Sequence, residues 1–171
     1  MLGGARSGKS GTAERLMAGH ERVTYVATGP APGPDDPEWA ERVRQHQKRR
    51  PTGWTTVETR DLEGLLGAAG EPVLVDCLAT WLAGVMDDCA IWSDRPGADA
   101  ALAARVHAVV AAWRAAARTV VAVSSEVGSG VVPDTASGRR FRDELGELNA
   151  RIAAECDRVW LCTAGVPRRL R

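Results

Sequence analysis

The sequence predicts an α/β fold built on a mostly parallel sheet, and three observations carry that prediction. Short runs rich in β-branched residues alternate with segments of helical periodicity along the chain. The runs are apolar without strict alternation, as strands covered on both faces are. The glycine-rich stretch "GGARSGKS" (Gly3 to Ser10) stands directly before a helical pattern, the place of a loop that joins a strand to a helix. With 171 residues, the chain is long enough for one core, and 1–171 is expected to form a single nucleotide-binding domain.

The elements follow in order. Only Met1 and Leu2 precede the glycine loop, whereas an ordinary strand takes about five or six residues. The first strand is therefore expected to be truncated here, with the natural start upstream or the site shortened. A helix is expected over Lys9 to Met17, and "RVTYVAT" (Arg22 to Thr28) is a strand. "TGPAPGPDDPEWA" (Thr28 to Ala40) is dense in Pro and Gly and reads as a mobile loop. It runs into a helix over Pro37 to Lys48, with proline in the first turn. "PVLVD" (Pro72 to Asp76) is a strand, followed by a helix over Leu78 to Met86. "IWSDRPGAD" (Ile91 to Asp99) reads as a plain connection into an alanine-rich helix over Asp99 to Arg118. "TVVAVS" (Thr119 to Ser124) and "RVWLCTA" (Arg158 to Ala164) are strands. The helix between them, Ser137 to Cys156, places Phe141, Leu145, Leu148 and Ile152 at helical spacing.

Composition narrows the function classes. Basic and acidic residues balance at 22 each, so no net charge favours nucleic acid or an anionic membrane. No apolar run approaches the roughly 20 residues of a membrane span, and no signal-peptide pattern opens the chain. The four cysteines form no C-x-x-C pair, which argues for neither zinc nor a disulfide framework. A reduced, cytoplasmic protein is expected. Of the basic residues only Lys9 and Lys48 are lysine.

The loop fits the phosphate-binding pattern G-x-x-x-x-G-K-[ST]. Gly3 and Gly8 let the backbone turn and approach oxygen closely, and the amides of Gly4, Ala5, Arg6 and Ser7 complete an anion cradle at a helix N-terminus. Lys9 would reach the β- and γ-phosphates, and Ser10 would bind magnesium. Asp76, at the C-terminal end of a strand expected to neighbour the loop strand, fits the acidic partner of that metal, and it also fits a helix N-cap. His46 is the second candidate. Trp39, Val43 and His46 are spaced by four and three, so they share one helix face that points inward. Arg42, Arg44, Lys48, Arg49 and Arg50 make a basic patch around it, suited to a polyphosphate. A neutral imidazole there can attack phosphorus, with the cations stabilising developing charge. A lone histidine on such a face is also commonly a satisfied, half-buried ring. His20 and His107 lack such surroundings and read as structural or surface residues.

The segments "GGARSGKS", "YVAT", "RVRQHQKRRPTGWTTVE", "VLVDCLATWL", "SSEVGSGVVP" and "GRRFRDELGELNARIAAECDRVWL" together resemble the bifunctional adenosylcobinamide kinase and adenosylcobinamide-phosphate guanylyltransferase family of cobalamin assembly. They run in that family's order and cover nearly the whole chain. The resemblance implies a RecA-like sheet, a homotrimer and two reactions. ATP or GTP would phosphorylate adenosylcobinamide, and GTP would then pass GMP through an enzyme histidine to the phosphorylated corrinoid. His46 would carry the GMP, with Gln47, Lys48, Arg49 and Arg50 along the nucleotide. Thr28, Gly29, Pro30, Glu58 and Asp76 would also contact nucleotide. The chain departs from the family pattern at Ser125, where asparagine is usual, and at Ala79, where threonine is usual.

Two further segments carry readings of their own. In "EVGSGVVP" (Glu126 to Pro133), Glu126 would orient a substrate hydroxyl or water, or the segment is an ordinary glycine-rich connection. In "RRFRD" (Arg139 to Asp143) the arginines would meet phosphate or a neighbouring subunit, or form a solvated face. On residues alone, a simple small-molecule kinase with an idle His46 and a nucleotide-dependent switch or assembly ATPase also remain open.

Overall fold

The computed structural model describes residues 1–93 and 95–171. Seven strands form one sheet: β1 (Leu2–Gly3), β2 (Val23–Ala27), β3 (Trp54–Glu58), β4 (Val73–Asp76), β5 (Val120–Ser125), β6 (Trp160–Thr163) and β7 (Val166–Arg169). Six helices connect them: α1 (Lys9–Met17), α2 (Pro37–Lys48), α3 (Leu62–Gly67), α4 (Leu78–Asp88), α5 (Ala98–Ala115) and α6 (Ala136–Ala154). The strand order is β3-β2-β4-β5-β1-β6-β7. Every pairing is parallel except the hairpin of β6 with β7.

The expected α/β architecture is therefore present, with a short first strand. β1 has two residues and pairs with β5 on one side and β6 on the other. The Met1 ammonium donates to the Ala122 carbonyl at 2.7 Å, and Ser124 N donates to the Met1 carbonyl at 2.9 Å. Gly3 has no room for a side chain, because a Cβ there would lie 2.7 Å from the Cys162 carbonyl oxygen of β6.

Two cores cover the two faces of the sheet. On one face, Val26, Val73, Val75 and Ala122 meet Leu62 and Leu66 of α3, Trp81, Leu82, Val85 and Met86 of α4, Leu102, Val106 and Val109 of α5, and Leu145 and Leu148 of α6. On the other, Val23, Tyr25, Trp54, Leu74 and Val123 meet Ala13 and Met17 of α1. Residues 73, 74 and 75 thus alternate between cores, the period of two that a doubly covered strand imposes.

Local chemistry sets the helix ends. Asp36 accepts from Trp39 N at 2.8 Å and Pro37 opens α2, so that helix keeps its expected bounds. Asp61 caps α3 through Gly64 N at 2.9 Å, and Thr135 caps α6 through Gly138 N at 3.1 Å. The helix expected to reach Arg118 ends earlier, at Ala115, because Ala116 turns to extended backbone. The Arg118 side chain instead donates to the Glu71 and Leu65 carbonyls. Three elements were not expected: β3, α3 and β7. The connection read over Ile91 to Asp99 runs through Asp94, outside the described residues.

Candidate functional site

The C-terminal ends of the parallel strands converge on one cavity of about 350 Å³. β4 delivers Asp76, β3 delivers Glu58 and β5 delivers Ser125, while the loop after β1 delivers Lys9 and Ser10. This edge is where parallel α/β sheets bind ligands. α2 closes one side with Trp39, Arg42, Val43 and His46, and α4 the other with Ala79, Thr80 and Ala83. The inward face read from the spacing of Trp39, Val43 and His46 is the face that lines the cavity.

The phosphate-type loop spans Gly3 to Ser10. Gly8 sits at φ 88°, the left-handed conformation that glycine tolerates, and caps α1. Arg6 is left-handed as well, at φ 53°. Ser7 N donates to the Gly4 carbonyl at 3.3 Å, and Lys9 Nζ folds back to the same carbonyl at 3.1 Å. The ammonium thus rests on its own loop, within the cavity lining.

Asp76 is placed differently from the simplest sequence reading. β5 lies between β1 and β4, so its strand is not adjacent to the loop strand. Nor does it cap α4: Cys77 does, in a capping box with Thr80. Its carboxylate accepts from Tyr25 Oη at 2.8 Å and lies 3.3 Å from His46 Nδ1. Burial pushes the Asp76 carboxyl up, but hydrogen bonds from His46, Tyr25 and Ser10 outweigh it and hold the group below the ordinary carboxylate range. Ser10 and Asp76 therefore bring a hydroxyl and a carboxylate together. Such hard oxygens fit magnesium, which keeps few protein ligands and takes the rest from water and phosphate. Among the described residues no group of three or more His, Cys, Asp or Glu side chains is placed to hold a metal.

Of the residues expected along the nucleotide, Lys9, Ser10, Gly29, Pro30, His46, Arg50, Glu58 and Asp76 line this cavity. Thr28 is buried, donates to the Cys77 carbonyl at 2.7 Å, and lines an adjoining cavity with Gly29, Pro30 and Glu58. Gln47, Lys48 and Arg49 are exposed and stand outside the lining. Two of the five residues of the basic patch are ion-paired: Arg49 with Glu14 at 3.2 Å, Arg44 with Glu41 at 2.7 Å. Arg50 lies 3.5 Å from the Tyr25 ring centroid. Ser125 and Ala79, the two departures from the family pattern, both line the cavity.

The two other motifs are occupied by internal contacts. Glu126 Oε1 accepts from Gly128 N at 2.7 Å and Ser129 N at 3.2 Å, so it shapes its own loop. Arg139 donates to the Pro133 and Asp134 carbonyls, Arg142 to the Gly128 carbonyl, and Arg140 pairs with Asp99 and Glu144. Arg139 and Arg142 tie the start of α6 to the loop before it, and Arg140 ties it to α5. His20 and His107 are exposed. Sequence reasoning missed Tyr25, the residue that joins His46 to Asp76. Its signal was a hydroxyl-bearing aromatic in a strand of otherwise aliphatic core residues, where such a group needs a partner.

A glycine loop before a helix at the end of a central parallel strand, with a carboxylate and a histidine across the same cavity, defines a phosphate-loop nucleotide protein of the transferase kind. The comparisons narrow that class. Residues 1–170 match the family described as cobinamide kinase / cobinamide phosphate guanyltransferase, and the chain belongs to that family. It is 35% identical over 181 aligned positions to the bifunctional adenosylcobalamin biosynthesis protein CobU of Escherichia coli, covering all of this chain and 98% of the relative. The CobU of Salmonella typhimurium matches at the same identity and coverage. The bifunctional adenosylcobalamin biosynthesis protein CobP of Pseudomonas aeruginosa is 38% identical over 176 positions, covering all of this chain and 95% of the relative.

Proposed function

We propose that this chain catalyses both reactions of its family in adenosylcobalamin biosynthesis. It phosphorylates adenosylcobinamide with ATP or GTP, then transfers GMP from GTP to the adenosylcobinamide phosphate through a guanylylated His46. The observation that carries this reading is the shared cavity: the loop lysine and the histidine that the two chemistries need line one space at the sheet edge.

Gly3 to Ser10 cradles the triphosphate, and Lys9 swings from its loop carbonyl onto the phosphates. Ser10 and Asp76 would hold magnesium, which would supply charge neutralisation at the phosphate oxygens. Thr28, Gly29, Pro30 and Glu58 border the nucleotide, and Arg50 serves it from the end of α2. Gln47, Lys48 and Arg49 reach it only by turning inward. Splitting guanylyl transfer into two displacements at His46 replaces one difficult step with two easier ones. We further propose a single domain over 1–171, a homotrimeric assembly and a cytoplasmic location. No helix among the described residues is long and apolar enough to cross a membrane.

The test is incubation with α-labelled GTP and magnesium, followed by denaturation. An acid-labile, base-stable label on the wild-type protein, lost in His46→Ala, is expected. ADP formation with adenosylcobinamide but no labelled protein leaves only a kinase. Nucleotide binding with neither product leaves a switch.

A further inference from the structure

We infer that Tyr25 is a positioning residue that sets the tautomer of His46, so that the ring keeps its proton on Nδ1 and attacks through Nε2. This rests on the guanylyl-transfer reading above.

The inference is a proton count. The Tyr25 hydroxyl carries one proton and donates it to Asp76 Oδ2 at 2.8 Å. His46 Nδ1 faces the same two groups, at 3.4 Å from Tyr25 Oη and 3.3 Å from Asp76 Oδ2. The tyrosine oxygen has no further proton to give, and the carboxylate only accepts. Nδ1 is therefore met by acceptors alone, which favours the Nδ1–H form and leaves the lone pair on Nε2.

Tyr25 can hold this arrangement because it cannot move. Its side chain is 2% exposed. The β2–β4 register pairs Tyr25 with Leu74 and Ala27 with Asp76, so the phenol and the carboxylate stand on the same sheet face, one step apart along the diagonal. The Arg50 guanidinium lies over the ring, and its Nη1 donates to Thr56 Oγ1 at 2.6 Å. A buried group on a strand, covered by a guanidinium on one face, orients a partner more tightly than one on a loop.

The chemistry balances without moving a proton. The Nε2 lone pair attacks the α-phosphorus of GTP, the N–P bond forms, and the bond to the β-phosphate oxygen breaks. Pyrophosphate leaves with that electron pair. The ring, now cationic, keeps its Nδ1 proton towards Asp76. When an oxygen of the corrinoid phosphate attacks the same phosphorus, the N–P pair returns to Nε2.

The test uses full-length protein with ¹⁵N-labelled histidine. Long-range ¹H–¹⁵N correlation without nucleotide, at a pH where the ring is neutral, should show His46 mainly as the Nδ1–H tautomer. ³¹P-edited correlation of the base-stable adduct should place phosphorus on Nε2. Tyr25→Phe keeps the ring beneath Arg50 and removes only the hydroxyl. It should lower the rate of adduct formation at saturating GTP by about tenfold or more, leave KM for GTP within about twofold, and, with Asp76 still accepting at Nδ1 but no longer held by the phenol, weaken the Nδ1–H preference without inverting it. A wild-type ring that is mainly Nε2–H, an adduct on Nδ1, or Tyr25→Phe labelled at the wild-type rate would each overturn the inference. A wild-type enzyme that takes no label removes the guanylyl-transfer reading instead. The nucleotide-free tautomer, and its response to Tyr25→Phe, then still decides whether Tyr25 sets the ring.

Discussion

Two helices flank the cavity, and they are held by different physics. α4 buries Leu78, Ala79, Trp81, Leu82, Val85 and Met86. α2 buries no residue. It is attached by single polar contacts: Trp39 Nε1 to the Pro30 carbonyl at 2.8 Å, Arg49 to Glu14, His46 to Asp76, and Arg50 beyond its end to the Tyr25 ring. The wall that follows the Asp76 strand is thus part of the core, while the wall that carries the proposed nucleophile is an added piece. Apolar burial is worth about 25 cal/mol per Å², whereas exposed polar contacts are worth about 1 kcal/mol or less. The fold's stability resides in α4, and the freedom to adjust resides in α2.

A matched pair of tryptophans probes this most sharply. Trp81 is fully buried and donates to the Arg60 carbonyl at 2.9 Å. Trp81→Ala should lower unfolding free energy by about 3–5 kcal/mol, read from urea denaturation. Trp39→Ala should lower it by about 1 kcal/mol or less, yet reduce His46 labelling. Equal losses would end the distinction between the two walls. Hydrogen exchange gives the next largest contrast. Amides of α2 should exchange through local opening, at least about 100-fold faster than α4 amides, which should track global unfolding.

Alkaline pH separates the two attachments more finely. Burial raises the Cys77 thiol above its ordinary 9.0 and, with the Asp76 charge, raises the Tyr25 phenol above its ordinary 10.0. In both cases the unfolded chain ionises first. The stability these groups contribute is complete below pH 9 and falls as pH rises beyond it. Denaturation midpoints measured from pH 8 to pH 11 should decline. Cys77→Ser, at the cap of α4, should flatten the earlier part, and Tyr25→Phe, beneath α2, the later part. The smallest effect is Arg49→Ala, which cuts one tie between α2 and α1. The pair is half exposed on the arginine side, so a loss of about 0.2–1 kcal/mol is expected, screened by salt.

What was legible in the sequence follows the same division. The bounds of α1 and α2 could be read because glycine, aspartate and proline fix them through local chemistry alone. His46 could be placed on an inward face because helical spacing is also local. Trp54–Glu58 escaped notice as a strand because Thr55, Thr56 and Glu58 are exposed at the edge, and edge strands lack the apolar run that marks central ones. β7 escaped because "VPRR" has no buried residue. Tyr25 could not be assigned a role because its partners, His46 and Asp76, lie 21 and 51 positions away and meet it only through strand register and the packing of α2. β5 itself was read as a strand, but its place between β1 and β4 was not, since strand order is a long-range property.

The ends of the sheet carry one more consequence. β7 runs antiparallel, is exposed throughout, and presents Pro167, Arg168 and Arg169. A proline cannot donate to an incoming strand, and paired cations repel a like copy. At the opposite border, β3 offers threonines and a glutamate to solvent. The β7 border is therefore a poor template for another chain's backbone, whereas the β3 border keeps the strand-forming chemistry that an added strand would need.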